Sequence, residues 1–448
     1  MFRKTTLAKL TFLPMALHLA LASPGRTEPV QAQATLDFLE SVGVVSTFPD
    51  RGQPIERTIE MLRYVGFRWV RAGIEGVTET GPTTMDTFLE LHRLLGVKFA
   101  WGLVSGGSDL DQLIRTGGIL AQHDALLAIE GNNEPNNWPI RHNGEEGGGT
   151  GSWLPVARLQ ADLYKRVKAD PLLAAYPVWS LSEPGAQTDN TGLQFLQIPD
   201  NSETLMPAGT RFADFANVHN YIYHPNSPHP ANNKTWNAAD PSKDSAVDGL
   251  YGNFGRTWNK HFRGYTDEQL AVLPRVTTET GVTIGGKITE ELHASHLVNI
   301  YLSQFARGYA HTSVYLLRDR EDEEGNQAFG FFRPDYTPRK AAIYLRHLMR
   351  ALEDNGRRNS YDTLDYSIPF KADTVHDLLL QRSDGKFQLV LWAERLDGDE
   401  TVEIMLAQPA LQVTIDDPAT SDDAVRILQN VDGITVSLRD RPIVVLIE

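Results

Sequence analysis

Between residues 42 and 352, short apolar runs alternate with longer stretches whose apolar positions fall three and four apart. The runs cover residues 42–48, 67–72, 97–103, 125–131, 177–181, 215–223, 275–280 and 312–317. β-Branched and aromatic side chains dominate most of them, as strands buried on both faces require. The stretches between read as amphipathic helices: 54–64 carries Ile55, Ile59, Met61 and Leu62, and 84–95 carries Met85, Phe88, Leu89, Leu91 and Leu94. Residues 153–169, 290–310 and 338–352 are the longest of them. Parallel strands need crossovers, and helices supply them. Eight such units predict an α/β fold, a (β/α)8 TIM barrel over residues 35–355. An open α/β sheet is the alternative topology.

After about residue 357 the period changes. Short alternating runs at 378–382, 387–392, 401–406, 411–415, 424–428, 433–438 and 443–447 are separated by Asp384-Gly385, Asp397-Gly398 and Asp432-Gly433. Asp-Gly pairs are hairpin signals. Residues 356–448 therefore read as a small antiparallel β-sandwich, an accessory domain. One insertion, 225–262, is rich in Asn, Pro, Gly and aromatics, among them Trp236, Tyr251, Phe254 and Trp258. Following the sixth strand, it is expected on the C-terminal face of the barrel, where loops build sites.

The N-terminus has Arg3, Lys4 and Lys9, an apolar run over 10–22, and Ala20-Leu21-Ala22. This is the tripartite form of a signal peptide over residues 1–22, and a second small-x-small site at Ala32-Gln33-Ala34 allows cleavage as late as 34. The expected location is secreted or periplasmic. The run is short for a bilayer span, and no later segment is long and apolar enough for one.

Composition narrows the chemistry. Hydrophobic residues make up 41% and charged residues 22%, which fills a core. The formal net charge of -15, with no dense basic run, argues against a nucleic-acid partner. There are no cysteines, so disulfides, thiolate metal sites and cysteine nucleophiles are excluded.

The fourth run leads into Glu130-Gly131-Asn132-Asn133-Glu134-Pro135, and the seventh ends Thr278-Glu279-Thr280. Each places a carboxylate at the C-terminal mouth of a strand, and barrel closure can bring the two together. Glycosidic bonds are cleaved by such pairs, one carboxyl protonated and the other ionised. These motifs resemble glycoside hydrolase clan A, in the style of families 5 and 39. The resemblance spans most of residues 40–352, including Asp335-Tyr336-Thr337-Pro338 before the last helix. It implies that Glu134 is the acid/base and Glu279 the nucleophile of a retaining glycosidase. It also implies that Asn133 contacts the sugar 2-hydroxyl, that His219 lines the sugar site and that Tyr221 hydrogen-bonds the nucleophile. Arg71, at the end of the second strand, resembles the arginine that keeps the nucleophile ionised, a role a permanent cation can fill. The Trp of many family 5 members is missing from the last strand, which makes Tyr315 the candidate platform. Trp101 and Trp138 are candidate stacking surfaces, because aromatic faces pack on sugar C–H surfaces.

The expected partner is a polysaccharide or oligosaccharide, cleaved endo, with no cofactor and no metal. Two other readings use the same barrel. One is a non-catalytic glycan-binding protein; the other is a metal-dependent hydrolase, which would want His-x-His at an early strand end, where this chain has none. Glu183 competes as an acid but lacks a preceding Asn. Glu75 reads as a solvated loop charge, and Glu291, His293 and His296 as a solvated helix face.

Overall fold

The structure, a computed structural model, describes residues 27–46, 53–79, 83–149, 151–182, 184–186, 209–223, 230–241, 267–320 and 328–448. Residues 1–22, Glu183, and Tyr251, Phe254 and Trp258 of the insertion lie outside the described residues. Among the described residues, no helix is long and apolar enough to cross a membrane.

Two short strands, β1 (Glu28–Gln31) and β2 (Gln33–Ala34), precede the barrel. The barrel strands then follow: β3 (Val42–Val45), β4 (Trp69–Gly73), β5 (Lys98–Gly102) and β6 (Leu126–Glu130). A hairpin, β7 (Ile140–His142) with β8 (Glu145–Gly147), intervenes before β9 (Val178–Trp179) and β10 (Pro184–Ala186). The sixth run is broken at Val218 into β11 (Ala216–Asn217) and β12 (His219–Tyr221), and β13 (Arg275–Thr280) and β14 (Tyr309–Val314) complete the set. All neighbouring barrel strands are parallel, in the order β11-β13-β14-β3-β4-β5-β6-β9. The bridge between Trp179 and Phe215 joins the two ends, so the sheet is a closed barrel and not an open one.

Alternation along each strand explains the interior. Trp69, Ala100, Ala128, Trp179 and Val276 fill its lower part, two large side chains set among small ones. Gly43 in β3 makes this possible, since a Cβ there would lie 2.1 Å from the Trp69 ring. Two residues further along their strands, Arg71, Glu130 and Thr278 face the same interior one level higher, at the mouth. The core is apolar below and ionic above.

Helices Ile55–Val65, Met85–Leu95, Leu110–Gln122, Leu154–Ala169, Glu290–Ala306 and Lys340–Ala351 wrap the outside. Gly66 (φ 91°) ends the first of them in the left-handed conformation that a C-cap favours. The described part of the insertion, including the short helix Lys234–Ala238, runs down the barrel flank. It does not line the mouth. Trp236 stacks on His376 with ring centroids 4.2 Å apart, and Arg307 lies 4.7 Å over it.

The second domain contains β15 (Thr363–Ser367), β16 (Val375–Gln381), β17 (Phe387–Ala393), β18 (Glu400–Asp416), β19 (Arg426–Leu438) and β20 (Ile443–Ile447). Its pairings are antiparallel except β16 with β2. The expected pair of sheets is one continuous hydrogen-bonded sheet. Runs 401–406 and 411–415 merge into β18, which changes partner midway from β15 to β20 across a register irregularity between Met405 and Ala410. Val402, Ile404, Val413 and Ile415 from its two halves join Leu389, Leu391 and Val445 in one apolar core. The sheet also takes in the N-terminal segment: β1 pairs with β15 and β2 with β16. Its other face packs on the barrel through Leu378, Leu380, Val390, Trp392 and Val444.

Candidate active site

Each carboxylate of the pair is held at the mouth by a local backbone irregularity. In β13 the register to β14 slips between Thr277 and Thr280, three steps on one strand against two on the other. Such bulges re-aim side chains. Here the bulge lets consecutive residues, Thr278 and Glu279, both reach the interior. After β6, Glu134 sits at φ 44° in the left-handed region, unusual for a side chain of this kind. Its N–H donates to Ser182 O at 3.1 Å, and its carbonyl accepts from Asn137 N (2.9 Å) and Trp138 N (2.8 Å). His219 and Tyr221, two apart on β12, face the same side, while Asn220 between them points out and donates to Ala238 O at 2.8 Å.

Arg71 organises the charges. Its Nη1 donates to Glu279 Oε2 at 2.7 Å. Nε and Nη2 grip Glu130 at 3.1 and 2.8 Å, and Nη2 also donates to Asn133 Oδ1 at 2.8 Å. Burial pulls the Arg71 pKa down, but Glu130 and Glu279 outweigh it and raise the value, so the guanidinium is permanently charged. The Tyr221 hydroxyl donates to Glu279 Oε1. Burial, and after it the Glu279 charge, pushes the phenol well above its usual range, so it keeps its hydrogen and donates it to Glu279.

Glu134 lives differently. Burial raises its pKa; the hydrogen bond from Asn137 Nδ2 (2.9 Å) and the Arg71 charge pull the other way without cancelling that rise. His219 Nδ1 lies 2.7 Å from Glu134 Oε1 and 3.8 Å from Glu279 Oε2. Burial lowers the His219 pKa to about 4; Glu279 opposes the fall, so the imidazole is neutral at pH 7. One oxygen of Glu134, one of Glu279 and a His219 nitrogen lie within 4.8 Å of one another. These donors could in principle meet a divalent ion. The Arg71 guanidinium already supplies a fixed positive charge on Glu279, so the set fits carboxylate-pair chemistry better than a metal centre.

Of the sequence candidates, Arg71, Asn133, Glu134, His219, Tyr221 and Glu279 form one connected cluster. Asn133 also donates to Ser105 Oγ at 3.0 Å. Tyr315 stands beside it, edge-on to Phe329 at 5.4 Å, with Phe329 in turn 5.9 Å from Tyr221. Trp138 is at the rim and 53% exposed. Trp101 is different. It is fully buried, edge-on to Phe88 at 4.9 Å, and donates to Thr116 Oγ1 at 2.8 Å, so it is core and not a sugar platform. Three residues not singled out from sequence complete the cluster: Glu130, Asn217 and Thr278. The signal for Glu130 is that Arg71 has more donors than one carboxylate can accept.

No family model matches the chain, and no curated protein matches it. Solved structures do. A family 39 glycoside hydrolase from Bacteroides cellulosilyticus WH2 superposes with a TM-score of 0.57 at 12% identity, covering 94% of this chain and 83% of that one. CelM2, a bifunctional glucanase-xylanase from a metagenome library, gives 0.54 at 12% identity, covering 94% and 97%. The α-L-arabinofuranosidase of Thermotoga maritima gives 0.54 at 11% identity, covering 95% and 98%. The fold is that of glycoside hydrolases in clan A. Coverage this broad takes in the β-domain as well as the barrel, so the two-domain arrangement is shared.

Proposed function

We propose that the protein is a retaining glycoside hydrolase acting on an oligosaccharide or polysaccharide, with Glu134 as acid/base and Glu279 as nucleophile. The observation that carries this is the approach of the two carboxylates to within 4.8 Å between their nearest oxygens. Double displacement uses carboxyls about 5–5.5 Å apart, whereas inversion needs about 6.5–9.5 Å to admit a water. The environments support the same assignment. Arg71 and Tyr221 both donate to Glu279, which suits an ionised nucleophile, and burial favours the protonated form of Glu134.

In the first step Glu134 gives its proton to the glycosidic oxygen as Glu279 attacks the anomeric carbon, and the leaving alcohol departs. In the second, Glu134 takes a proton from water, which displaces Glu279 and regenerates both carboxyls. Trp138, on the turn that follows the acid/base, is suited to the leaving-group sugar, and a platform there favours endo cleavage. The N-terminal pattern favours a secreted or periplasmic enzyme.

A panel of 2-deoxy-2-fluoroglycosyl fluorides tests the assignment: one of them should label Glu279, detected by peptide mass. Glu134→Gln should lower kcat/KM by about 10²–10⁴-fold on substrates with poor leaving groups and much less on activated aryl glycosides. Glycan binding without labelling or turnover across exopolysaccharides and aryl glycosides would overturn catalysis and leave a binding protein.

A further inference from the structure

We propose that Glu130 and Thr278 are positioning residues that fix the tautomer of His219 and so keep the acid proton on Glu134. The inference rests on the acid/base role given to Glu134 above. The Thr278 hydroxyl has one to give, and its acceptors are Glu130 Oε1 at 2.8 Å and Asn217 Oδ1 at 3.0 Å. It also accepts from Asn217 Nδ2 at 2.9 Å. Glu130 is held by Arg71 and is an acceptor only, so a charge-assisted bond takes the Thr278 hydrogen.

His219 Nε2 lies 3.1 Å from the same Thr278 oxygen. With the hydroxyl hydrogen directed away, Nε2 must be the donor. A neutral ring protonated at Nε2 has a bare lone pair at Nδ1, and that lone pair faces Glu134 Oε1 at 2.7 Å. Two lone pairs at that distance repel; a carboxylic O–H facing the lone pair makes a good bond. The proton therefore sits on Glu134. Losing it leaves two poor options: a bare Nδ1 against a carboxylate, or a tautomer flip that turns a bare Nε2 toward the Thr278 oxygen. Both hold the acid protonated to higher pH. Once the proton has gone to the leaving group, the same repulsion makes Glu134 the stronger base for the water step.

The charged and titratable groups facing this pair are Arg71 on β4, Glu130 on β6, Tyr221 on β12 and Glu279 on β13. Arg71 and Tyr221 bind Glu279 directly. The tautomer is thus set through Thr278.

Two measurements test this. The first is ¹⁵N NMR of histidine-labelled enzyme, with the His219→Gln difference spectrum assigning one ring among the 13 histidines. The expected ring is protonated at Nε2 with Nδ1 accepting a hydrogen bond. Protonation at Nδ1 alone, or at both nitrogens, overturns the proposal. The second is the pH profile of kcat/KM on the substrate found in the aryl glycoside panel. Thr278→Val removes the oxygen that forbids the flip, so its basic limb should move to lower pH by about one unit, while Thr278→Ser keeps the wild-type limb. Superimposable limbs for wild type and Thr278→Val overturn it. Should Thr278→Val not fold, the wild-type spectrum decides alone. If no substrate in the panel is turned over, the glycosidase reading fails and the spectrum still reports where the proton is.

Discussion

Arg71 shows how one side chain serves both stability and chemistry. Its fork joins Glu130, Glu279 and Asn133 at the mouth of the barrel. Removing it leaves two carboxylates close together with no counter-charge. Arg71→Met should cost about 3–5 kcal/mol in urea unfolding at neutral pH, since it unpairs buried charge. Arg71→Lys should recover only part of this, because a point charge cannot make the three-way contact. Lower in the barrel, Gly43→Ala should destabilise by about 1–3 kcal/mol through overpacking against Trp69, a shift readable as a drop in Tm. The two tryptophans proposed as platforms should separate. Trp138→Ala should raise KM for oligosaccharides and leave unfolding unchanged, whereas Trp101→Ala should lower stability first. The pH dependence follows from Glu134. The acid works while it holds its proton, so glycosylation is retained below its raised pKa and falls as pH rises through it.

Strands announce themselves better than the loops that serve them. All eight barrel runs are strands in the structure because burial on both faces leaves a continuous apolar signature, as in 125–131. The boundaries shift where side chains serve the site: run 215–223 is split at Val218, and the last strand ends at Val314, before Tyr315. The proposed acid/base and nucleophile and their Arg, His and Tyr partners were readable because each falls within or just after an apolar run. Glu130 was signalled only by the donors that Arg71 has to spare, and Asn217 and Thr278 not at all. Their roles depend on the β13 bulge and on which strands become neighbours, and a linear pattern carries neither. Trp236 misled for a related reason. An aromatic-rich stretch after a strand suggests a mouth, but Trp236 is spent on the other domain. There Glu394 accepts from Thr235 N at 2.8 Å, Trp236 N at 3.1 Å and Ser303 Oγ at 3.2 Å, a buried carboxylate joining β-sheet to barrel. Glu394→Ala strands those donors and should cost about 1–3 kcal/mol in thermal unfolding. It should also separate the melting of the two domains, visible as a broadened or double calorimetric transition. A single sharp transition at the wild-type Tm would show the clamp to be dispensable.

For the molecule as a whole, the two regimes of period divided the chain near residue 357, yet the folded division is less linear. Seven residues, 28–34, belong by hydrogen bonding to the sheet at the other end of the sequence. They were missed because four- and two-residue strands have too little alternation to register. Their position bears on the proposed export. Cleavage after Ala22 leaves both strands in place, and cleavage after Ala34 removes them. N-terminal sequencing of exported protein should therefore find a mature start before residue 28.

Topologically, the barrel is a guest inside the sheet. The chain leaves the sheet at Ala34 and re-enters it at Thr363, so the host is not finished until its final strands emerge from the ribosome. A fragment cut at 356–448 would carry two raw edges, along β15 and β16, where the missing strands belong, and raw edges recruit neighbours. The workable unit for expression is the whole span from residue 27 onward, with purification tags kept off both rims of the sheet.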